Sequence, residues 1–192
     1  DVDGDGVLEL VVGPLYFKPP PRKGDTWTRV DIADGWAASR VAVADLNGDL
    51  IPDLVTANAY GSSVSVSLGN GNGTFQAKTD FATDFLPKGV ALADLNGDGK
   101  LDIVTYNTLI PNVSVLLGNG AGGFATAVSF DSGGSYPKSV NTGDFNGDGK
   151  YDLAVANSGS DNVSVLLGNG AGGFASAVNF DSGGSYPISV TV

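Results

Sequence analysis

Short apolar runs separated by glycine- and asparagine-rich turns recur along this chain in a fixed order. In one unit of the pattern, an apolar run at 90–92 precedes an acidic loop and a second run at 103–106 follows it. A β-branched run at 113–117 then ends in a Gly-Asn-Gly turn, and a fourth run extends from Phe124 to Phe130. No segment keeps an apolar period of 3.6 residues, and each run is too short for a helix. The pattern therefore predicts four short strands per unit.

The acidic loop sets the period of the repeat. It starts at Asp1, Asp45, Asp94 and Asp144, so successive starts lie 44, 49 and 50 residues apart. Residues 113–140 and 163–190 agree at 25 of 28 positions, so each unit has the same structural role. Four short strands at a period of about 40 to 50 residues are typical of a β-propeller blade. We predict an all-β fold, a β-propeller of about four four-stranded blades. It forms a single domain over 1–192, with repeats at about 1–43, 44–92, 93–142 and 143–192.

Net charge and missing residue types exclude several functions. The formal charge is −11, which argues against nucleic acid as a partner, because such binding depends on Lys and Arg. The chain has no Cys and no His, so the usual zinc ligands and the Ser-His-Asp and Cys-His nucleophile systems are absent. No apolar run approaches the roughly 20 residues of a transmembrane helix. We predict that the chain is not an enzyme and has no transmembrane segment.

The spacing of oxygen-bearing side chains within the loop predicts a calcium site. Positions 1, 3, 5 and 9 offer side-chain oxygens, position 7 offers its backbone carbonyl, and glycine at position 4 lets the chain curl. Four loops in register make plain solvated turns a poor explanation, and four Ca²⁺ ions would bring the charge from −11 to −3. Magnesium is less suited, because it prefers fewer protein ligands and octahedral geometry. The predicted ligands are Asp1, Asp3, Asp5, Val7 and Glu9; Asp45, Asn47, Asp49, Ile51 and Asp53; Asp94, Asn96, Asp98, Lys100 and Asp102; and Asp144, Asn146, Asp148, Lys150 and Asp152.

The Asp-x-Asn-Gly-Asp-Gly-x-x-Asp loops, together with Leu-Gly-Asn-Gly-x-Gly-x-Phe turns such as 117–124, resemble the FG-GAP/VCBS repeat family. This family is found in integrin α-subunit propellers and many secreted bacterial proteins. Three units match closely, whereas the first departs from Pro14 onward and lacks the Gly-Asn-Gly turn. The resemblance implies a propeller, calcium in the loop between the first two strands of each blade, and an extracellular or cell-surface location.

Three arrangements of the blades follow from the order of the strands. The C-terminal run 186–192 matches the strand that precedes a loop, so it could pair with the first blade and close a ring of four. The chain could instead be a slice of a larger ring, or open edges could pair between molecules and build a filament.

Aromatic residues and glycosylation sequons are the remaining candidate features. An aromatic residue precedes the first strand of each unit, either as a glycan- or partner-binding rim or, as we favour, as packing between blades. These residues are Trp36, Phe85, Tyr136 and Tyr186. Sequons occur at Asn72, Asn112 and Asn162, and Pro19 to Pro21 lie in a stretch unlike the other units.

These observations favour a secreted, calcium-stabilised propeller used for adhesion, surface display or assembly, with a protein or glycan partner or self-association into filaments or rings. A lectin-like module is the alternative, as is the non-catalytic propeller part of a larger extracellular enzyme.

Overall fold

The β-branched and leucine-rich runs form strands, as the sequence pattern predicts. The structure is a computed structural model, and it describes residues 10–12, 15–18, 28–31 and 38–191. Its elements are β1 (Leu10–Val12), β2 (Leu15–Lys18), β3 (Thr28–Asp31), β4 (Ala38–Ala44), β5 (Asp53–Asn58), a 3₁₀ helix (Ala59–Gly61), β6 (Ser63–Ser67), β7 (Thr79–Ala82), β8 (Pro87–Ala93), β9 (Asp102–Asn107), β10 (Asn112–Leu116), β11 (Val128–Asp131), β12 (Pro137–Gly143), β13 (Asp152–Asn157), β14 (Asn162–Leu166) and β15 (Val178–Asp181). In these ranges no helix has the length or apolar character needed to cross a membrane.

The strands form antiparallel sheets in which each strand pairs with its neighbour in sequence. Strands β1–β3 form a three-stranded sheet, here sheet 1. Sheet 2 (β4–β7), sheet 3 (β8–β11) and sheet 4 (β12–β15) have four strands each. The predicted grouping of four short strands is thus confirmed for three sheets. Sheets 2, 3 and 4 each begin with the strand that precedes their acidic loop, so each is offset by one strand from a unit counted from loop to loop.

The fourth strand of sheets 2, 3 and 4 is shorter than the sequence suggests. The predicted run starts at Phe124, but β11 starts at Val128, and Phe124 makes only an isolated bridge with Gly118. The same bridge joins Gly69 to Phe75 and Gly168 to Phe174. These bridges close the Gly-Asn-Gly turns, so the phenylalanine belongs to the turn and the strand begins after it.

The first strands of sheets 2, 3 and 4 lie side by side, with β8 between β4 and β12. The apolar core lies between sheets. One cluster, which includes Val55, Val64 and Ile103, joins sheets 2 and 3. The other, which includes Val104, Val115 and Leu153, joins sheets 3 and 4. Burial of these aliphatic side chains is what stacks the sheets in a propeller-like arrangement.

The expected closure of the ring is not found. Residues 187–191 form no strand, although their sequence matches β8 and β12. An extended segment forms a strand only beside a partner that completes its hydrogen bonds, and sheet 1 contains just β1–β3 among the described residues. The described sheets therefore do not form a closed ring.

Candidate functional site

The three described acidic loops occupy equivalent places in their sheets. Each follows the first strand and leads into the second, as Asp94–Asp102 does between β8 and β9. All three therefore lie at the same end of their sheets. The first predicted loop, Asp1, Asp3, Asp5, Val7 and Glu9, lies outside the described residues.

The carboxylate at position 1 organises the loop around itself. Asp94 Oδ1 accepts the N–H groups of Gly97 at 2.7 Å and Asp98 at 3.0 Å, and Oδ2 accepts that of Gly99 at 2.8 Å. The same bonds recur at Asp45 and Asp144. Gly97 and Gly99 have φ of +74° and +81°, which glycine adopts without steric cost.

Positions 3 and 5 continue this pattern at the exposed side of the loop. Asn96 Oδ1 accepts the N–H of Asp98 at 3.0 Å, and Asp98 Oδ1 accepts the N–H of Lys100 at 3.0 Å. The Lys100 ammonium lies 3.3 Å from the other oxygen of Asp98. In two loops the side chain at position 7 is thus a lysine whose ammonium lies beside the carboxylate at position 5. The prediction gave position 7 only a backbone-carbonyl role.

The carboxylate at position 9 has a structural role that sequence reasoning missed. Asp102 is fully buried, and its oxygens accept the N–H groups of Leu95 and Gly118, each at 2.8 Å. Asp53 and Asp152 make the equivalent bonds. This aspartate thus joins the acidic loop to the Gly-Asn-Gly turn of its own sheet. In each described unit a glycine stands 16 residues after the position-9 aspartate, and this recurrence in the sequence could have indicated the contact.

The electrostatics of the loops oppose the burial of this carboxylate. Burial raises the pKa of Asp53 and Asp102 above the ordinary value of 3.8, and the charges of the acids at positions 1 and 5 add to the rise. The hydrogen bonds from backbone N–H groups lower the pKa of the same groups but do not cancel the effect. The loops that end at Asp53 and Asp102 therefore concentrate negative charge that a cation would neutralise.

The donor set of each loop fits a hard cation. Every candidate ligand is a carboxylate, an amide or a backbone carbonyl, the oxygen chemistry that Ca²⁺ prefers. Each carboxylate oxygen that accepts one N–H group retains a second lone pair. Within the described residues, however, no three acidic side chains are gathered into a metal-binding group by themselves. Asparagine and carbonyl oxygens would have to complete the coordination.

The aromatic residues before the first strands are exposed instead of packed between sheets. Phe85, Tyr136 and Tyr186 expose 47%, 54% and 60% of their surface, so the packing interpretation is wrong for these three. Trp36 and Pro19 to Pro21 lie outside the described residues. Tyr136 and Tyr186 have φ of +51° and +62°, a strained conformation for a residue with a side chain. The Tyr136 carbonyl is held by the N–H and hydroxyl groups of Ser158.

A groove of about 660 Å³ lies between sheets 3 and 4 beside this aromatic rim. Its lining includes Phe130, Asp131, Ser135, Phe174 and Ser176. It thus combines aromatic rings with a carboxylate and hydroxyl groups, and its lining includes Ser135, the residue that precedes Tyr136.

The three sequons differ in accessibility. Asn72 is exposed in a turn, where its oxygen accepts hydrogen bonds from Thr74. Asn112 is partly buried, donates to Asp84 and accepts from Asn107. Asn162 is also partly buried and accepts from Asn157. The structure thus presents only Asn72 of the three as an open side chain.

Comparison with known proteins adds a family and a structural likeness. A family model described as FG-GAP-like repeat matches residues 45–105, and one described as FG-GAP repeat matches residues 136–178. No curated protein sequence matches the chain.

Among solved structures, an Agrocybe aegerita lectin that recognises non-reducing terminal N-acetylglucosamine is similar to this chain. Its TM-score is 0.62 with 26% identity, over 93% of this chain and 50% of the lectin. The chain thus spans about half the length of that lectin. The Photorhabdus luminescens Tc holotoxin pore has a TM-score of 0.49 with 22% identity, over 94% of this chain and 9% of its own. The lectin likeness supports the propeller-like arrangement of the sheets.

Proposed function

Since the chain belongs to the FG-GAP repeat family, we propose that it is a calcium-stabilised propeller module, secreted or displayed at a cell surface, that acts in adhesion, display or assembly without catalysing a reaction. The observation that carries the proposal is the threefold recurrence of one loop geometry. In each loop a position-1 carboxylate is wrapped by N–H groups, and a position-9 carboxylate is buried behind it.

Calcium would be held by the oxygen donors at positions 1, 3, 5, 7 and 9 of each loop. When bound, it would supply positive charge to a cluster of carboxylates that otherwise repel one another. The chain's own residues set the loop in place: position 1 fixes its curvature, and position 9 fixes it to the neighbouring turn. The ion would therefore act on stability by linkage to folding.

The test is thermal unfolding in calcium, in excess chelator, and in chelator followed by magnesium. Saturation of one site at a hundred times its Kd stabilises the fold by about 2.7 kcal/mol, so we expect a large loss on chelation. Calcium should restore it and magnesium should restore it poorly. Asp98→Asn, at an exposed loop position, should reduce the calcium response while leaving the stability in chelator nearly unchanged. An unchanged melting temperature in chelator, from protein that metal analysis shows to be calcium-free, would overturn the proposal.

A second candidate is a lectin-like module, and the exposed rim and the adjacent groove favour it. Aromatic faces stack on sugar rings, and carboxylate and serine oxygens bond sugar hydroxyls. The groove offers Asp131 and Ser135, and the exposed Tyr136 directly follows Ser135 in the chain. The lectin neighbour's recognition of terminal N-acetylglucosamine gives the first sugar to test.

The experiment is binding of glycans that end in N-acetylglucosamine to the wild-type chain and to Tyr136→Ala and Asp131→Ala. Both variants should lose binding. Tyr151→Ala should retain it, because Tyr151 is 44% exposed but lies in an acidic loop at the other end of its sheet. Absence of binding to any glycan on an array would eliminate this candidate and leave the adhesion or assembly role.

A further inference from the structure

Position 7 divides the described acidic loops into two kinds. It is lysine in the loops of sheets 3 and 4, at Lys100 and Lys150, and isoleucine in the loop of sheet 2, at Ile51. The N–H group of each of these residues donates to the position-5 carboxylate two residues earlier, at 2.8 Å in sheet 2 and 3.0 Å in sheets 3 and 4. At this position the loops therefore differ in the side chain and not in the hydrogen bonding of the backbone.

The side chain at position 7 lies over the Gly-Asn-Gly turn of its own sheet. A Cβ on Gly120 would be 2.9 Å from Lys100 Cδ, and a Cβ on Gly71 would be 3.2 Å from Ile51 Cδ1. The apolar stem of the lysine and the isoleucine thus occupy the same place against the turn. Because this contact holds the stem, less conformational entropy is lost when the ammonium stays beside the loop.

The position-5 carboxylate has different neighbours in the two kinds of loop. Lys100 Nζ lies 3.3 Å from Asp98 Oδ2, and the equivalent pair of sheet 4 has the same separation. In the loop of sheet 2, Asp49 Oδ2 instead accepts a hydrogen bond from a neutral donor, the Asn47 amide, at 2.9 Å. The loops of sheets 3 and 4 therefore place a positive charge of their own beside a predicted calcium ligand, whereas the side chain at position 7 of sheet 2 carries none.

We propose that the lysine at position 7 sets the calcium affinity of its loop, as an internal cation that competes with the ion for the position-5 carboxylate. In the absence of the ion, the ammonium neutralises part of the carboxylate charge. In its presence, the same ammonium repels a second cation nearby. Both effects lower the affinity of the loop, and the partial exposure of the ion pair to solvent limits their size.

This inference rests on the proposed calcium function and adds how strongly each loop responds to the ion. Ligand charge is one of the factors that set the affinity of oxygen-based calcium sites. A lysine that offsets this charge moves its loop toward weaker binding, where the filling of the loop follows the calcium concentration around the protein. Sheets 3 and 4 would then respond to calcium instead of holding it permanently.

The test follows each loop separately by NMR while the whole chain is titrated with calcium. The reporters are the amide signals of Gly48, Gly97 and Gly147, whose N–H groups donate to the position-1 carboxylates of the three loops. Lys100→Met keeps an unbranched apolar stem and removes the charge. It should lower the free calcium concentration at half-saturation of the Gly97 loop by about fivefold. The Gly147 loop of the same molecule should keep its wild-type value.

Three controls separate the position of the charge from its presence. Ile51→Lys is the reciprocal change, and it should raise the half-saturation concentration of the Gly48 loop. Lys78→Met is the matched control, because Lys78 also forms an exposed ion pair, with Asp80, but lies outside the acidic loops. It should leave all three loops unchanged. The shift caused by Lys100→Met should shrink in about 1 M potassium chloride, because salt screens exposed charges. Melting temperatures establish that each variant is folded.

The outcomes distinguish this inference from the proposed function. Glycine signals that do not respond to calcium in the wild-type chain would overturn both. If the wild-type signals respond but Lys100→Met stays within about twofold of the wild-type half-saturation concentration, the inference alone is wrong. A shift of the Gly97 loop that is just as large in Lys78→Met would also overturn it, since the lysine would then act through net charge and not through its place in the loop.

Discussion

Replacement of Asp102 by asparagine tests whether the position-9 aspartate holds the acidic loop against the turn. The wild-type carboxylate is fully buried and accepts one N–H group on each oxygen, at 2.8 Å from Leu95 and Gly118. Asparagine keeps the shape of the side chain and one acceptor oxygen. Its NH₂ group is a donor, so it cannot accept the hydrogen bond from the second backbone N–H group. One backbone donor is thus left without a partner in a place that water does not reach.

The size of the effect follows from two contributions. A hydrogen bond to a charged group is worth about 1.5 to 3 kcal/mol, and a buried N–H group without a partner costs about 1 to 3 kcal/mol. The relief of burying a charge offsets part of this loss, since burial raises the pKa of Asp102. We expect the free energy of unfolding to fall by about 3 kcal/mol, a large part of the stability of an ordinary domain.

The assay is urea denaturation of Asp102→Asn in excess chelator, followed by the same measurement in calcium. A loss of the expected size in chelator identifies the carboxylate as a structural clamp. A greater loss in calcium shows that it also serves the ion. Asp53→Asn and Asp152→Asn repeat the experiment in the other sheets, because both carboxylates make the same two bonds. If Asp102→Asn lost less than about 1 kcal/mol in chelator, the clamp would not carry the stability assigned to it.

Two further predictions concern a glycine and a carboxylate outside the acidic loops. Gly118→Ala should destabilise the fold by more than about 2 kcal/mol in urea denaturation, because its Cβ would lie 2.2 Å from the Leu101 carbonyl oxygen. Gly99→Ala should cost only the roughly 1 to 2 kcal/mol of a left-handed residue, since open space surrounds its Cβ, and equal losses would contradict this reasoning. Hydrogen bonds from Lys78 and then from Ser65 lower the pKa of Asp80 below 3.8, so the stability this group contributes is present above pH 3.8 and lost as the pH falls through the lowered pKa. Lys78→Met should return the pKa of Asp80 toward 3.8 in an NMR titration of its carboxyl carbon, and an unmoved pKa would mean that Lys78 does not cause the shift.

The strands and the repeat could be predicted because each strand is a local pattern. The runs at 103–106 and 113–117 are β-branched, end at turn residues and recur at a fixed period, so their assignment needed no tertiary information. The FG-GAP resemblance is confirmed by the family matches over residues 45–105 and 136–178. The calcium ligands and the extracellular location stay predictions.

What could not be predicted depends on contacts between sheets. Asp102 is buried because it contacts a turn 16 residues away in sequence. The spacing within the loop predicted only that Asp102 is a calcium ligand. Phe85 and Tyr136 are aromatic residues of the kind common in protein cores. They are exposed because of the path that the chain takes between sheets. The segment 187–191 matches a strand in sequence, but strand formation depends on a neighbour that sequence pattern does not supply.

The pairing of every strand with its neighbour in sequence also bears on how the chain folds. Because β8–β11 follow one another without a crossover, the contacts within sheet 3 are short-range, and the sheet can form before sheet 4 has been synthesised. Once both segments have been synthesised, the near-identity of residues 113–140 and 163–190 creates a risk of misfolding. Strand β14 can then take the place of β10 beside β9 with the same register. Emergence of one sheet at a time, from a ribosome or through a secretion channel, keeps these competing strands apart. Refolding from denaturant, in which all strands compete at once, is expected to be slower and to give more misfolded product than synthesis in sequence order.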